Sequence, residues 1–298
     1  MKPGFGRTAA ILLAMVIGAL LPQAHALSWT IRWLVMAMLF IVFLGTRPAR
    51  EAFRRSHGML LLANLGIGFG AWGLGWLVGG RDVALAAFFA GIAPTAIAAP
   101  PIVAFLRGRV DYIIAAFFLT NLGIAALLPL LLPLVLGRAT PDAFVQVLRS
   151  VAVVIFVPLV VAWLVRALHP PAGEWPARRG DLSFAMWVVA IFLVTANASD
   201  FIRRQTTAPQ VVVAQIAAVT LAVCASGFAL GRLIGGREFG REASQALGQK
   251  HTTFAIYLAL TYASPLVALG PTCYVVWHNL WNSWQLHRAA AHPAAQNT

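Results

Sequence analysis

The chain has 298 residues, of which 60% are hydrophobic and only 10% are charged. This composition excludes an ordinary soluble globular domain and is typical of a protein with many membrane spans. The net charge of +13 does not indicate nucleic-acid binding, because the arginines lie in short connections between apolar runs, where they set topology and meet lipid headgroups. We therefore expect the lipid bilayer, and not a nucleic acid, as the partner.

The apolar runs predict ten membrane-spanning helices, since about 20 residues cross the hydrocarbon. The predicted spans are 8 to 22, 28 to 46, 58 to 80, 82 to 106, 110 to 136, 150 to 168, 182 to 199, 210 to 234, 241 to 263 and 265 to 287. Residues 1 to 26 have two interpretations, because Ala24-His25-Ala26 resembles a signal-peptidase site. The second apolar run follows at once, which favours a first span over a cleaved signal.

The basic residues of the connections predict the orientation. Counted on alternate sides of the predicted spans, 15 Lys and Arg residues lie on the side of the N-terminus and 5 on the other side. By the positive-inside rule, both termini are cytoplasmic. We expect a multi-pass protein of the cell inner (plasma) membrane.

An amphipathic connection at 138 to 149 divides the chain into two halves. Five spans lie in 1 to 137 and five in 150 to 288, followed by a cytoplasmic tail at 289 to 298. An odd number of spans in each half would place the second half upside down relative to the first, as in inverted-repeat transporters. The expected fold is all-α with two inverted five-helix repeats, although no clear sequence identity links the halves.

Polar residues and prolines interrupt the fourth span of each half. In span 4 the interruption contains Pro94, Pro100 and Pro101, and in span 9 it runs from 248 to 253. Paired broken helices in corresponding positions indicate a binding site near the bilayer midplane. Pro100 and Pro101 suit the first turn of a half-helix from about 102 to 106, and Thr252 or Thr253 can cap the second half-helix.

Lys250 makes these interruptions a candidate anion site. A cation inside a bilayer costs about 2.5 to 3.5 kcal/mol on insertion scales, and two helix N-termini that meet near it would add positive dipole ends. The alternative is a purely structural role, in which the prolines only kink packed helices. Lys250 would then extend its ammonium to the membrane surface or pair with Glu242 or Asp111. The candidate substrate-binding residues are Pro94, Thr95, Pro100, Lys250, His251, Thr252, Thr253, His278 and Asn279.

Other chemistry has little support in the sequence. Cys224 and Cys273 lack CxxC spacing, and no two histidines share i, i+4 spacing on one span, so no metal site is expected. All carboxylates map to span ends or connections, which disfavours a membrane-embedded enzyme. In span 3, Gly66 and Gly70 have the spacing that favours close helix packing. A receptor that binds without transporting is the other class kept open.

The motifs resemble one known family. Val276-Trp277-His278-Asn279 in the last span, the interruption around 248 to 252, and Pro94 followed by Phe105-Leu106-Arg107-Gly108 are similar to the bile acid:sodium symporter family. The resemblance covers nearly the whole chain in span order. It implies a panel domain of spans 1, 2, 6 and 7 and a core domain of spans 3 to 5 and 8 to 10. The two broken helices would cross in the core, and an organic anion would bind between core and panel.

The resemblance carries the sodium ligands over poorly. The positions implied for the ion-site region are Ala99, Pro100, Thr120, Asn121, Ala246, Gln249 and Lys250. A hard monovalent cation needs about six oxygen ligands, and methyl groups, a proline and a lysine have replaced most of them. We expect a secondary transporter of an organic anion, bile-acid-like or a small carboxylate, that works by alternating access and in which Lys250 replaces the cation.

No cofactor is expected beyond a coupling ion, sodium or a proton. The alternative within the same class is a sodium symporter with relocated ligands, among them Thr120 and Asn121.

Overall fold

A computed structural model describes residues 3–46, 48–178, 180–204 and 210–291. The helices are α1 (Pro3–Leu20), α2 (Ile31–Gly45), α3 (Arg55–Ile92), α4 (Ala99–Phe105), α5 (Val110–Val135), α6 (Pro141–Leu168), α7 (Trp175–Arg178), α8 (Gly180–Arg204), α9 (Gln210–Gly248), α10 (Thr252–Tyr262) and α11 (Pro265–Ala291). Short 3-10 turns join some of them, at Pro22–Thr30, Arg50–Ala52 and Pro170–Glu174. The predicted all-α class is confirmed for this part of the chain.

Six of the described helical segments are long and apolar enough to cross a membrane. They are Pro22–Gly45, Arg55–Ile92, Val110–Val135, Pro141–Leu168, Leu182–Phe201 and Gln210–Gly248. Large apolar side chains also face outward, and Leu62, Leu77 and Leu233 are 68%, 87% and 76% exposed. Exposed leucines at this density would be a liability in water, whereas lipid solvates them. The chain is therefore a membrane protein.

The two longest helices, α3 and α9, turn back on themselves. Gly80 and Gly236 have positive φ angles of 76° and 60°, which only glycine adopts easily. Each lies twelve residues before the end of its helix, at Ile92 and Gly248. Gly75 packs directly against the backbone of Ala84, although nine residues of straight helix would separate them by about 13 Å. Both elements are thus helical hairpins with a short returning arm.

The hairpins share a sequence motif, which corrects the expectation that no identity links the halves. The segment AWGLGWLVGGRD, 71 to 82, and the segment GFALGRLIGGRE, 227 to 238, are identical at six of twelve positions. The glycines of the second segment also contact its returning arm, since Gly231 lies against Ala243 and Gly227 against Leu247. Small residues every four positions let the two arms approach closely, and the Gly-Gly-Arg turn reverses the chain. The repeat is clear only within this hairpin.

The packing role predicted for Gly66 and Gly70 is wrong. No atom lies within 4 Å of where a Cβ would stand at either residue, so both glycines face open space. The close contacts of this helix belong to other glycines, Gly75 against Ala84 and Gly68 against Ile92 on the returning arm. The GxxxG spacing identified a helix rich in small residues but selected the wrong face.

The connection predicted at 138 to 149 is also different in the structure. α6 begins at Pro141 and runs without interruption to Leu168, so the amphipathic segment forms the first turns of the helix. The Thr140 hydroxyl accepts a hydrogen bond from the Ala143 N–H at 3.3 Å and caps this start. Of the tail predicted at 289 to 298, the first three residues end α11, and 292 to 298 lie outside the described residues.

The helices pack in a pattern that positions the two interruptions. α1 packs on α8, and α2 packs on α6 and α8. α3, α9 and α11 pack on one another, with α5 and α10 against them. The two sets meet where α5 contacts α6 and where α8 contacts α11. The expected division into a panel and a core remains a prediction, and the interruptions lie within the second set.

Candidate functional site at the paired helix breaks

The first interruption separates α3 from α4 at residues 93 to 98. Pro94 has no N–H and cannot continue the helical ladder. α4 then starts at Ala99 with Pro100 and Pro101 in its first turn, where a missing N–H costs nothing. The half-helix therefore begins three residues earlier than the predicted 102, and it ends at Phe105.

The second interruption is shorter, from 249 to 251, and separates α9 from α10. The residue that caps α10 is His251, whose Nδ1 accepts a hydrogen bond from the Phe254 N–H at 3.3 Å. The predicted caps, Thr252 and Thr253, lie inside the helix and are buried. The prediction considered only hydroxyl side chains as acceptors, whereas a neutral imidazole nitrogen can do the same.

The two interruptions pair with each other. The Ala96 N–H donates to the Gln249 carbonyl at 2.7 Å, and the His251 N–H donates to the Pro94 carbonyl at 2.7 Å. These bonds flank an antiparallel bridge between Thr95 and Lys250. Backbone freed from a helix cannot stay unsatisfied in lipid, and here each break supplies the partners of the other. The sequence predicted that the two breaks meet, but it did not predict that they pair as extended strands.

Thr95 and Lys250 each cap the helix end of the opposite break. The Lys250 ammonium donates to the Gly91 carbonyl at 2.8 Å, near the end of α3. The Thr95 hydroxyl donates to the Ala246 carbonyl at 2.7 Å, near the end of α9. The last carbonyls of a helix lack intrahelical partners and carry its negative dipole end. A cation is therefore favourable beside α3, which gives Lys250 a structural reason to be buried.

Asn64 completes the surroundings of Lys250. Its Oδ1 accepts a hydrogen bond from the ammonium, and its Nδ2 donates to the Ile92 carbonyl at 2.8 Å. Lys250 is 1% exposed and Asn64 is 2% exposed. In the described part of the chain, no carboxylate pairs with Lys250, so the alternative of a pair with Glu242 or Asp111 is not formed. Glu242 instead accepts from the Arg109 N–H at 2.7 Å. No sequence pattern indicated that Asn64 would meet Lys250, which lies 186 residues away.

Thr120 and Asn121 support the first break. The Thr120 hydroxyl donates to the Thr95 hydroxyl at 2.8 Å, which in turn donates to Ala246. The Asn121 Nδ2 donates to the Thr95 carbonyl at 2.9 Å and to the Phe117 carbonyl of its own helix. Thr95 is therefore held from both sides, and the cluster is buried. Ala99 is fully buried and has no side-chain oxygen.

The histidine and asparagine of the last span occupy a different place. The His278 ring packs edge-on against Tyr274 at 5.5 Å and faces Trp187 of α8 at 6.2 Å. Asn279 is half-buried, and its Nδ2 donates to the Val275 carbonyl of its own helix at 2.7 Å. Tyr274 is the residue of α11 that reaches the break, because its hydroxyl donates to the Gly248 carbonyl at 2.8 Å. Sequence reasoning missed Tyr274, since a tyrosine in an apolar run carries no pattern of its own.

The helix starts at the breaks offer few free donors to an anion. In α4 the Ala99 and Ile102 N–H groups donate to Ala96 and Ala98, and the two prolines between them have no N–H. In α10 the Thr252 N–H donates to the Lys250 carbonyl. In this conformation, therefore, the N-termini of α4 and α10 do not form the anion-binding site that the sequence predicted. A narrow apolar crevice lies beside the first break, lined by residues that include Phe89, Pro94 and Phe254.

Several buried polar atoms at the second break and in α9 and α11 have no hydrogen-bond partner among the described residues. They are Gln249 Nε2 and His251 Nε2 at the break, Gln245 Oε1 in α9, and both ring nitrogens of His278 and Asn282 Nδ2 in α11. Because the His251 Nδ1 accepts from a backbone N–H, its neutral ring carries the proton on Nε2. Buried donors without partners are costly, and those of Gln249 and His251 leave hydrogen-bonding capacity for a ligand in another conformation.

No group of three or more metal-ligating side chains lies together in the described ranges. Comparison with known proteins adds no identification, since neither a protein-family model nor a curated protein sequence matches this chain.

Proposed function

We propose that this protein is a secondary transporter that moves an organic anion, bile-acid-like or a small carboxylate, across the membrane by alternating access. The observation that carries the proposal is the pairing of two interrupted helices, one from each half of the chain, inside a helical membrane protein. Interrupted helices are retained in membranes where they form a binding site or a moving element.

The proposed architecture has ten spans in two inverted repeats. Its support is the shared hairpin motif, with Gly80 and Gly236 at matching distances from the two breaks. Each hairpin is followed by a half-helix and then by a long helix, α5 in one half and α11 in the other. Five spans in each half would give the halves opposite orientations in the bilayer.

Alternating access requires two bodies that move against each other. The proposed panel consists of α1, α2, α6 and α8, which pack among themselves, and the proposed core contains the hairpins and the breaks. The substrate would bind between them. His278 supports this placement, since it lies on α11 and faces Trp187 of α8 across the boundary. Gln249 and His251 retain unpartnered donors that an anion can use.

Lys250 acts in this proposal as a fixed cation that holds the breaks together. Its ammonium is engaged by Asn64 and by the Gly91 carbonyl, so it is not free to bind substrate in this conformation. The positions implied for sodium do not fit that ion, because Ala99 and Ala246 provide no side-chain oxygen and Lys250 brings its own positive charge. We therefore derive no transport step through sodium. A buried ammonium can also exchange protons during the cycle.

The test is uptake of radiolabelled organic acids into proteoliposomes by wild-type protein and by Lys250→Met. We expect the substitution to lower uptake at least tenfold, although the protein still inserts. The double variant Asn64→Leu/Lys250→Met removes both buried polar partners, so it separates loss of stability from loss of function. Normal uptake by either variant would refute the role of Lys250. Binding of an acid without accumulation or exchange would indicate a receptor instead.

A sodium-coupled symporter with relocated ligands is the second candidate. The observation that favours it is a row of three oxygens, in which the Thr95 hydroxyl lies within hydrogen-bond distance of both the Thr120 hydroxyl and the Ala246 carbonyl. A series of sodium concentrations at constant ionic strength separates the two candidates. Uptake independent of sodium supports the lysine-based transporter, and a steep dependence supports the symporter.

A further inference from the structure

Polar side chains form a row between the returning arm of α9 and α11. The Gln245 Nε2 donates to the Gln285 Oε1 at 2.5 Å and lies 3.4 Å from the Asn282 Oδ1. On α11, Asn282 is one helical turn beyond His278. The Gln249 N–H donates to the Gln245 carbonyl, so Gln249 lies one turn beyond Gln245. Together with one residue of the break, these side chains are the polar row: Gln245, Gln249, His251, His278, Asn282 and Gln285.

The polar row ends at the second break. The Tyr274 hydroxyl donates to the Gly248 carbonyl at 2.8 Å, and the Tyr274 ring lies 5.5 Å from the His278 ring. Gly248 is the last residue of α9, directly before the break. At the other end of the row, Gln285 is half-buried and lies near the C-terminal end of α11. The predicted topology places that end on the cytoplasmic side.

Six buried atoms of the polar row have no hydrogen-bond partner among the described residues. They are Gln245 Oε1, Gln249 Nε2, His251 Nε2, Asn282 Nδ2 and both ring nitrogens of His278. The five residues concerned are at most 5% exposed. Turning over the Gln245 or Asn282 amide would exchange its nitrogen and oxygen but would still leave one end without a partner. Unpaired polar atoms are costly inside a protein, so the polar row has the capacity to bind a ligand.

The chemistry of these atoms selects water as that ligand. The amide nitrogens need acceptors, the Gln245 oxygen needs a donor, and the neutral His278 ring needs one of each. An anion would serve only the donors, and a cation would serve only the acceptors. Water serves both, and a buried water molecule typically makes about three hydrogen bonds to polar groups of this kind.

The charged residues of this region are engaged outside the polar row. Residues 240 to 251 contain three of them, and each has a partner elsewhere: Arg241 donates to the Leu106 carbonyl, Glu242 accepts from the Arg109 N–H, and Lys250 donates to Asn64. On α11, Arg288 stacks on the exposed ring of Trp284. An ion in the row would therefore lack a counter-charge, which is unfavourable in the interior of a membrane protein.

We propose that the polar row holds a file of water molecules that leads from the cytoplasmic surface to the second break. Such a file gives protons a route to the break. The neutral His278 ring accepts a proton from water at one nitrogen and releases the proton of the other nitrogen to the next water. The water sites do not depend on the proposed function, whereas the use of the protons for coupling rests on it.

The experiment is X-ray hydroxyl-radical labelling of purified protein in lipid nanodiscs, read by mass spectrometry. Radicals formed from a bound water oxidise the side chain next to it, even where bulk solvent does not reach. We expect His278 to be oxidised about tenfold or more faster than His57, because water lies beside His278 only. His57 is the matched control, since it is equally buried, but its Nδ1 accepts from the Arg54 N–H and its Nε2 donates to the Tyr112 carbonyl.

Substitution of Asn282 interrupts the polar row. Asn282→Leu keeps the branched shape of the side chain without its polar atoms, and it should slow the oxidation of His278 about fivefold or more. Thr272→Val is the control variant, because Thr272 is buried on the same helix and its hydroxyl donates to the Ala268 carbonyl of that helix. It should leave the rate unchanged. If Asn282→Leu does not fold, Gln245→Met interrupts the row from the side of α9 and carries the same expectation.

Two results would overturn the water file. One is oxidation of His278 in wild-type protein that is no faster than that of His57. The other is an unchanged rate for His278 in the interrupted row, because water would then reach this ring from the boundary with α8 and not along α9.

Uptake into proteoliposomes separates this inference from the proposed function. For an acid that wild-type protein takes up, a pH gradient should change the rate of uptake, and Asn282→Leu should reduce this change about fivefold or more. Uptake without any dependence on the gradient would refute the use of the file for coupling. Oxidation of His278 that depends on Asn282, in a protein without uptake, would remove the transporter but leave the water file.

Discussion

At the scale of single residues, Lys250 shows how a membrane protein retains a buried cation without a buried carboxylate. The ammonium is held by the amide oxygen of Asn64 and by the Gly91 carbonyl. Both acceptors are dipoles, and the second belongs to a helix end whose carbonyls need a donor. The ammonium therefore supplies the hydrogen-bond donor that the end of α3 needs, and its own hydrogen bonds are made at the same time. Either partner alone would be an uncompensated polar group in an apolar bundle.

We expect Asn64→Leu to lower the free energy of unfolding by about 3 kcal/mol, because the buried ammonium loses an acceptor. In the Lys250→Met background the same change should cost only about 1 kcal/mol, because no charge remains to be solvated. Titration with a denaturing detergent from mixed micelles measures all four proteins of this double-mutant cycle. Equal costs in the two backgrounds would mean that the hydrogen bond between Lys250 and Asn64 contributes no stability.

At the scale of elements, the glycines of the hairpins and of α11 decide how closely helices approach. Gly270 of α11 lies directly against the backbone of Ala86 in the returning arm of α3, so that a Cβ would overlap the Ala86 carbonyl oxygen. Backbone of a packed helix cannot move aside as a flexible side chain can. The contact holds the last span against the arm that carries the first break.

Gly270→Ala should therefore destabilise the protein by about 2 kcal/mol, within the usual range for overpacking. Gly66→Ala is the matched control, since the site is exposed and no atom lies within 4 Å of its Cβ position. Alanine there should be neutral or stabilise by up to about 1 kcal/mol, because it restricts the unfolded chain. Thermal unfolding in detergent compares the two variants, and equal effects would contradict the packing argument.

At the scale of the whole molecule, the orientation of the bundle in the bilayer decides which side each site faces. The Arg-rich connection before α3 is predicted to be cytoplasmic and the connection between α5 and α6 to lie outside. Exposed alanines occupy both connections, Ala49 and Ala139. They are equivalent probes, since a cysteine at either position perturbs little.

In a background of Cys224→Ala/Cys273→Ser, a membrane-impermeant maleimide should label Ala139→Cys in intact cells. Ala49→Cys should be labelled only after the membrane is opened. Mass shift on a gel reports both results. Labelling of Ala49→Cys in intact cells would contradict this prediction and invert the topology.

The sequence by itself determined the membrane class, the helical fold and the position of both interruptions. Apolar composition and the placement of prolines act locally, so hydropathy and Pro94, Pro100 and Pro101 are sufficient to predict them. It also contained the Gly-Gly-Arg hairpin repeat, which was missed because the similarity is confined to twelve residues. Local signals of this kind need no knowledge of neighbours.

Only the tertiary structure decided which groups meet. Lys250 and Asn64 are 186 residues apart, and the Tyr274 hydroxyl reaches the Gly248 carbonyl from another helix. Neither pairing has a sequence pattern, because any polar residue on a facing surface would serve, and the helix packing selects the one that lies within reach. Helix packing also decides that His251 caps α10 and that Gly68, not Gly66, makes a close contact. A residue's type sets what it can bind, and the packing of the helices sets what is there to be bound.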